Sequence, residues 1–122
     1  MKKKILVVDD SEVVLAMVSD ALTEGGFDVV VATSLLEANS HLFRSKKPDA
    51  IVMDVMMPML NGDKTASLLK NNKVTNHIPI LLLSFKSEDE LSRLIRESGA
   101  DGFIRKPFTN RLLVEKINDA IR

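Results

Sequence analysis

The sequence predicts one α/β domain in which five parallel strands alternate with five helices, doubly wound as (βα)5 in the sheet order 2-1-3-4-5. Three observations carry that expectation. Short β-rich apolar runs recur five times, and apolar residues at helical spacing follow each one. Strict alternation needs crossover connections, which make the strands parallel and lay helices on both faces of the sheet. A chain of 122 residues, 45% hydrophobic and 28% charged, is long enough to bury a core without disulfides, and it has no cysteine.

Each element has a local signature. Lys4 to Val8 is a continuous apolar run, as expected of a strand covered on both faces, and Asp9, Asp10 and Ser11 stop it. Val14, Met17, Val18, Ala21 and Leu22 mark the first helix, with Gly25-Gly26 as its left-handed stop. Phe27 to Ala32 is the second strand, and Ser34 caps a helix carrying Leu35, Leu36, Ala38, Leu42 and Phe43. Pro48 breaks the chain before the third strand, Ala50 to Met53. Beyond Asn61-Gly62 a third helix presents Thr65, Ala66, Leu68 and Leu69, then frays at Asn71-Asn72-Lys73. Ile78 to Leu83 is the fourth strand, ending at Ser84, with Pro79 near its start where a missing donor does least harm. Ser87 or Glu88 opens the fourth helix, which has Leu91, Leu94 and Ile95 on one face and ends at Gly99. Phe103-Ile104 is a short fifth strand leading to Lys106-Pro107-Phe108. The last helix carries Leu113, Val114, Ile117, Ala120 and Ile121, with Arg122 at its negative end.

Composition narrows the function classes. With 17 basic and 17 acidic residues the chain has no net field to attract nucleic acid or anionic lipid, so direct nucleic-acid binding is not expected. No apolar stretch approaches the roughly 20 residues of a membrane span. The basic Met1-Lys-Lys-Lys start precedes only four apolar residues, too few for a signal peptide, so a cytoplasmic protein is expected. His41 and His77 lack ligand spacing and read as surface or cap residues. No Gly-rich phosphate loop supports a nucleotide enzyme, and an enzyme is not expected.

Function in such sheets gathers beyond the carboxyl ends of the strands. Those ends carry Asp9-Asp10, Thr33, Asp54, Ser84 and Lys106, and the predicted order sets Asp9-Asp10 beside Asp54. Clustered carboxylates repel, which raises their pKa values unless a cation neutralises them. Hard oxygen ligands without His or Cys point to Mg²⁺. One carboxylate can then act as nucleophile toward a phosphoryl group. A lysine would spread the charge on the phosphoryl oxygens, and the Ser84 hydroxyl could donate to one of them.

The ordered set is Val7-Val8-Asp9-Asp10, then Asp54 with Met57-Pro58 and Gly62, then the Ser84 hydroxyl, then Gly99-Ala100 before Lys106-Pro107-Phe108. It resembles the receiver domains of bacterial two-component response regulators, over Ile5 to Ile121. The resemblance implies a flavodoxin-like receiver domain spanning residues 1–122. In it Asp54 would accept phosphate from a sensor histidine kinase, a phosphotransfer protein or a small phosphodonor. Mg²⁺ would be held by Asp10, Asp54 and the Met56 carbonyl, with Asp9 assisting through water. Lys106 would contact the phosphoryl group and precede a cis peptide bond. Phe103 would be the switch aromatic, turning inward as the Ser84 hydroxyl moves toward phosphate. The fourth helix, fifth strand and fifth helix would signal to a downstream protein or output domain.

Three residues vary from the family pattern. Ser84 replaces the commoner threonine. Met56, two residues after Asp54, has no polar group to orient an attacking water, so slow spontaneous hydrolysis is expected. Phe85 stands where the family usually has alanine or glycine, and it is expected at the mouth of the site as a lid, with a packing role as the competing expectation. Phe85 also favours the alternative of a pseudoreceiver, a protein-interaction module that works without phosphorylation. Of the methionines Met53, Met56, Met57 and Met59, which could form a partner surface, Met53 and Met57 are read as packing.

Overall fold

β1 (Lys4–Val8) shows how the pleat divides the apolar residues between two cores. Ile5 and Val7 face one layer and Leu6 and Val8 the other, and all four are fully buried. The same alternation holds in β3 (Ala50–Asp54) and β4 (Ile80–Ser84). The computed structural model describes residues 2–43, 46–57 and 60–121. Its sheet is completed by β2 (Asp28–Ala32) and β5 (Gly102–Arg105), in the order β2-β1-β3-β4-β5 with every pairing parallel. This is the doubly wound, flavodoxin-like order expected from the sequence.

The helices are α1 (Glu12–Glu24), α2 (Leu35–Leu42), α3 (Gly62–Lys70), α4 (Glu88–Ser98) and α5 (Asn110–Ala120). Leu15, Val18, Ala21 and Leu22 of α1 and Leu113 and Ile117 of α5 pack on one face of the sheet. Ala38 and Leu42 of α2, Ala66 and Leu69 of α3 and Leu91 of α4 pack on the other. Ser11, Ser34, Ser87 and Thr109 each accept a hydrogen bond from the backbone N–H three residues on, which satisfies a donor that the first turn leaves orphaned. Gly99 closes α4 at φ 80°, a left-handed conformation that a side chain would strain. At the end of α1 that conformation falls on Gly26, at φ 93°.

Several boundaries differ from the expected ones for local reasons. Phe27 precedes β2, with its ring buried under α1 and its N–H bonded to the Leu22 carbonyl. β4 begins at Ile80 because Pro79 has no N–H to give, although its carbonyl accepts from Ile51 at 2.9 Å. The Ile80 N–H is taken by the Asp101 carboxylate at 2.8 Å, and Lys70 holds that carboxylate at 2.7 Å. β3 runs one residue further than expected and includes Asp54 itself. A hairpin of two-residue arms, Met56–Met57 and Leu60–Asn61, links β3 to α3. Met17, Leu36 and Leu68, expected on buried faces, are exposed, and Leu15 takes the buried place on α1.

Candidate functional site

The strand register brings the acids together. β1 lies between β2 and β3, so the chain leaves β1 at the point where strand order reverses, and Asp9 follows Val8 directly there. The Asp9 N–H donates to the Ala32 carbonyl at 3.1 Å, and the Asp9 carboxylate accepts from the Ser11 N–H at 2.9 Å. Those two bonds fix Asp9 at the base of the crevice, almost fully buried, while Asp10 stays exposed. Asp54, 6% exposed, ends β3 alongside. Oxygens of Asp9, Asp10 and Asp54 lie within 4.8 Å of one another, a grouping that could hold a metal ion.

Lys106 enters from the far edge. Ser84 pairs with Arg105 across β4 and β5, and the Lys106 N–H donates to the Ser84 carbonyl at 2.8 Å. From there the Lys106 ammonium reaches Asp9 at 3.5 Å and Asp54 at 3.8 Å, and the lysine is itself largely buried. The Lys106-Pro107 bond is cis, as the family resemblance implies. Ser84 is buried one position beyond Leu83, the cross-strand partner of Asp54, and its hydroxyl oxygen accepts from the Lys86 N–H at 3.0 Å.

Burial raises the Asp9 pKa above the usual carboxylate value, and the neighbouring Asp54 adds to that; the Ser11 N–H and Lys106 oppose it without cancelling it. The sign follows directly. A carboxyl group whose folded pKa lies above its unfolded value of about 3.9 binds protons more tightly when folded, so stability falls as pH rises between the two values. Above that window ionised Asp9 is a standing cost. Asp9→Asn is therefore expected to raise the urea midpoint of the metal-free protein at neutral pH and to flatten its decline above about pH 4. Urea titrations in chelator at several pH values test this, and a lowered midpoint at neutral pH would contradict it.

The remaining strand-end and aromatic residues fall into two groups. Thr33 stays outside the cluster and donates to Glu37 through both its N–H and its hydroxyl, serving the start of α2. Phe103 pairs with Leu82 in the sheet, sits half-buried against the core beneath α2, α3 and α4, and has the Lys116 ammonium 5.9 Å from its ring centroid. Phe85 is 72% exposed and its ring centroid lies 5.5 Å from the Lys106 ammonium. That exposure leaves little burial to lose, against the packing expectation. His77 is exposed and His41 half-buried, apart from the acids. Met53 is core. The Met56 and Met57 side chains, and Pro58 and Met59 entirely, lie outside the described residues, and the role of the Met56 carbonyl as a ligand is what the family resemblance implies. Sequence reading missed Val14 and Met17 as neighbours of Lys106, because the surrounding residues are apolar all round the helix and periodicity selects no face there.

An acidic cluster suited to a divalent cation, paired with a buried lysine at the switch point of a doubly wound sheet, defines the class of site. The chain belongs to the response regulator receiver domain family, whose sequence profile matches residues 5–118. It is 38% identical over 122 residues to the alkaline phosphatase synthesis transcriptional regulatory protein PhoP of Bacillus subtilis, covering all of this chain and 50% of that protein. It is 35% identical over 120 residues to the phosphate regulon transcriptional regulatory protein PhoB of Pseudomonas aeruginosa, covering 98% and 52%. The chain thus spans about half the length of these relatives. Among solved structures, the chemotaxis protein CheY4 of Vibrio cholerae superposes with a TM-score of 0.89 at 28% identity, covering 98% of this chain and 99% of that one. Among the described residues no helix is long and apolar enough to cross a membrane.

Proposed function

We propose that residues 1–122 form a receiver domain working as a phosphorylation-controlled switch, with Asp54 as the acceptor. The observation that carries this reading is the placement of the Lys106 ammonium 3.5 Å from Asp9 and 3.8 Å from Asp54, within an acidic cluster that needs a second cation. Asp54 supplies the nucleophilic oxygen, and its position at the end of β3 leaves it reachable from the crevice. Lys106 stabilises charge on the transferred group, and the Ser84 hydroxyl, whose oxygen accepts from the Lys86 N–H, keeps its own proton to donate to it. The acids fit Mg²⁺, because all three offer hard oxygens and the burial of Asp9 favours any neutralising partner. Asp10 and Asp54 would hold it with the Met56 carbonyl, Asp9 assisting through water, and the ion would neutralise phosphoryl charge. The donor would be a sensor histidine kinase, a phosphotransfer protein or a small phosphodonor. The output would pass through Phe103 and the α4, β5 and α5 face to a downstream protein or domain in the cytoplasm.

The test is intact mass spectrometry after incubation with acetyl phosphate or phosphoramidate. A gain of one phosphoryl group that depends on Mg²⁺ supports the switch. No adduct from either donor would contradict it and favour the pseudoreceiver, the reading to which Phe85 over Lys106 lends its weight. Asp10→Asn is expected to weaken Mg²⁺ binding roughly tenfold, since a charged oxygen ligand becomes neutral. Unchanged affinity in a Mg²⁺ titration would remove Asp10 from the coordination shell.

Phe85→Ala is expected to speed both phosphoryl uptake from acetyl phosphate and loss of the acyl phosphate by roughly tenfold, as follows if the exposed ring adds about 1.4 kcal/mol to each barrier. Parallel rate measurements check this, and unaltered rates would sink the lid.

A further inference from the structure

An apolar slot of about 180 Å³ opens beside the acidic cluster, lined by Val14 and Met17 of α1, by Phe85, and by Lys106, Pro107 and Phe108. Among the described residues Lys106 is its only charged lining residue, and the same side chain brings its ammonium to 3.8 Å from Asp54. Hydrophobic walls, with Lys106 linking the slot to the Asp9 and Asp54 carboxylates, match a molecule with a phosphoryl group at one end and an apolar body at the other. Its volume sets the scale of that body. A protein cavity of about 150 Å³ lined by apolar side chains takes up benzene, so the slot holds one ring and not a helix, which is about 10–12 Å across. Phe85 and Phe108 supply aromatic surface for such a ring to pack against.

We infer that the slot is a leaving-group subsite selecting low-molecular-weight acyl phosphates with a flat hydrophobic acyl group over acetyl phosphate. This rests on Asp54 being the phosphoryl acceptor. In the step, an Asp54 carboxylate oxygen forms a bond to phosphorus as the bond from phosphorus to the acyl oxygen breaks. The electron pair leaves with that oxygen, releasing the free carboxylate, and no proton or further reactant is required. Val14, Met17, Phe85 and Phe108 hold the departing ring, so they are specificity residues and not catalytic ones. The same ring of Phe85 that slows small donors thereby favours those that pack against it.

Benzoyl phosphate and acetyl phosphate are the probes, with Mg²⁺ present and phosphorylated protein read by mass spectrometry. The ratio of the two uptake rates cancels any general loss in a variant. That ratio is expected to be roughly tenfold higher in the parent than in Phe85→Ala or Met17→Gln, the latter keeping side-chain length on an exposed position of α1. Benzoate alone is expected to shift the Met17 methyl and Phe108 ring resonances and leave the exposed Leu36 of α2 unmoved. Equal ratios in all three proteins, with acetyl phosphate still labelling Asp54, would overturn the subsite alone. Failure of both acyl phosphates to label Asp54 would overturn the acceptor assignment, and the subsite with it.

Discussion

Asp54→Asn is expected to abolish phosphoryl uptake and to leave the protein folded. Asn matches the size and shape of Asp at the end of β3, where the Val55 N–H donates to the Leu83 carbonyl at 3.1 Å, so the local backbone has no reason to move. What the amide lacks is nucleophilicity. Its lone pairs are delocalised and it carries no charge, so attack on phosphorus is lost and the cation site drops a charged ligand. Removing that charge also relieves Asp9, whose proton affinity Asp54 raises, so the metal-free variant should be at least as stable as the parent. Intact mass after incubation with acetyl phosphate and Mg²⁺ is expected to show no adduct, against a single adduct on the parent. A phosphoryl group found on Ser84 or a histidine in the variant would break the assignment.

Lys106→Ala separates accepting a phosphoryl group from responding to it. The ammonium reaches the Asp9 and Asp54 carboxylates, while Lys106 is joined to Ser84 through its own N–H, and Ser84 lies in the strand that pairs with Phe103's. Pulling the ammonium and the Ser84 hydroxyl toward a new dianionic group is how charge at Asp54 would become movement at Phe103. Taking a two-state element from 1:99 to 99:1 needs about 5.5 kcal/mol of differential stabilisation, and Lys106 and Ser84 would have to share it. Without Lys106, residual uptake is expected, but the chemical-shift changes around Phe103 are expected to disappear. The variant also strands Asp9 in a buried position, and a loss of roughly 1–3 kcal/mol in metal-free stability is expected. Phosphorylated Lys106→Ala with the parental shifts at Phe103 would show that the signal takes another route.

The parts legible in the sequence are those where chemistry and pattern coincide. Asp9-Asp10 and Asp54 interrupt apolar runs, Lys106 follows the end of the fifth strand, and the parallel order brings these three separate places into one cluster. Ser84 was found on the same ground, but Thr33 was not separable from it, because only the structure shows Glu37 claiming the Thr33 hydroxyl. Met17 failed for a different reason. The stretch Val13 to Val18 is apolar at every position, so spacing could not choose between Leu15 and Met17, and packing under α5 decides for Leu15. Strand ends shifted where a backbone donor was missing, as at Pro79, or where a distant carboxylate supplied an acceptor, as Asp101 does for Ile80. Neither contact leaves a trace in local composition. Phe85 was legible as a residue out of pattern, but its place over Lys106 and its share in the slot depend on the chain turning after β4.

The central claim is that one carboxylate, Asp54, becomes an acyl phosphate. Borohydride reduces an acyl phosphate to an alcohol and leaves free carboxylates alone. Protein treated with acetyl phosphate and Mg²⁺, reduced and then digested should yield a peptide in which the carboxylate carbon of position 54 has become a CH2OH group, making the residue homoserine, with Asp9 and Asp10 unaltered. Reduction at Asp9 or Asp10 in place of Asp54, or a phosphoryl adduct that resists borohydride altogether, would contradict the account.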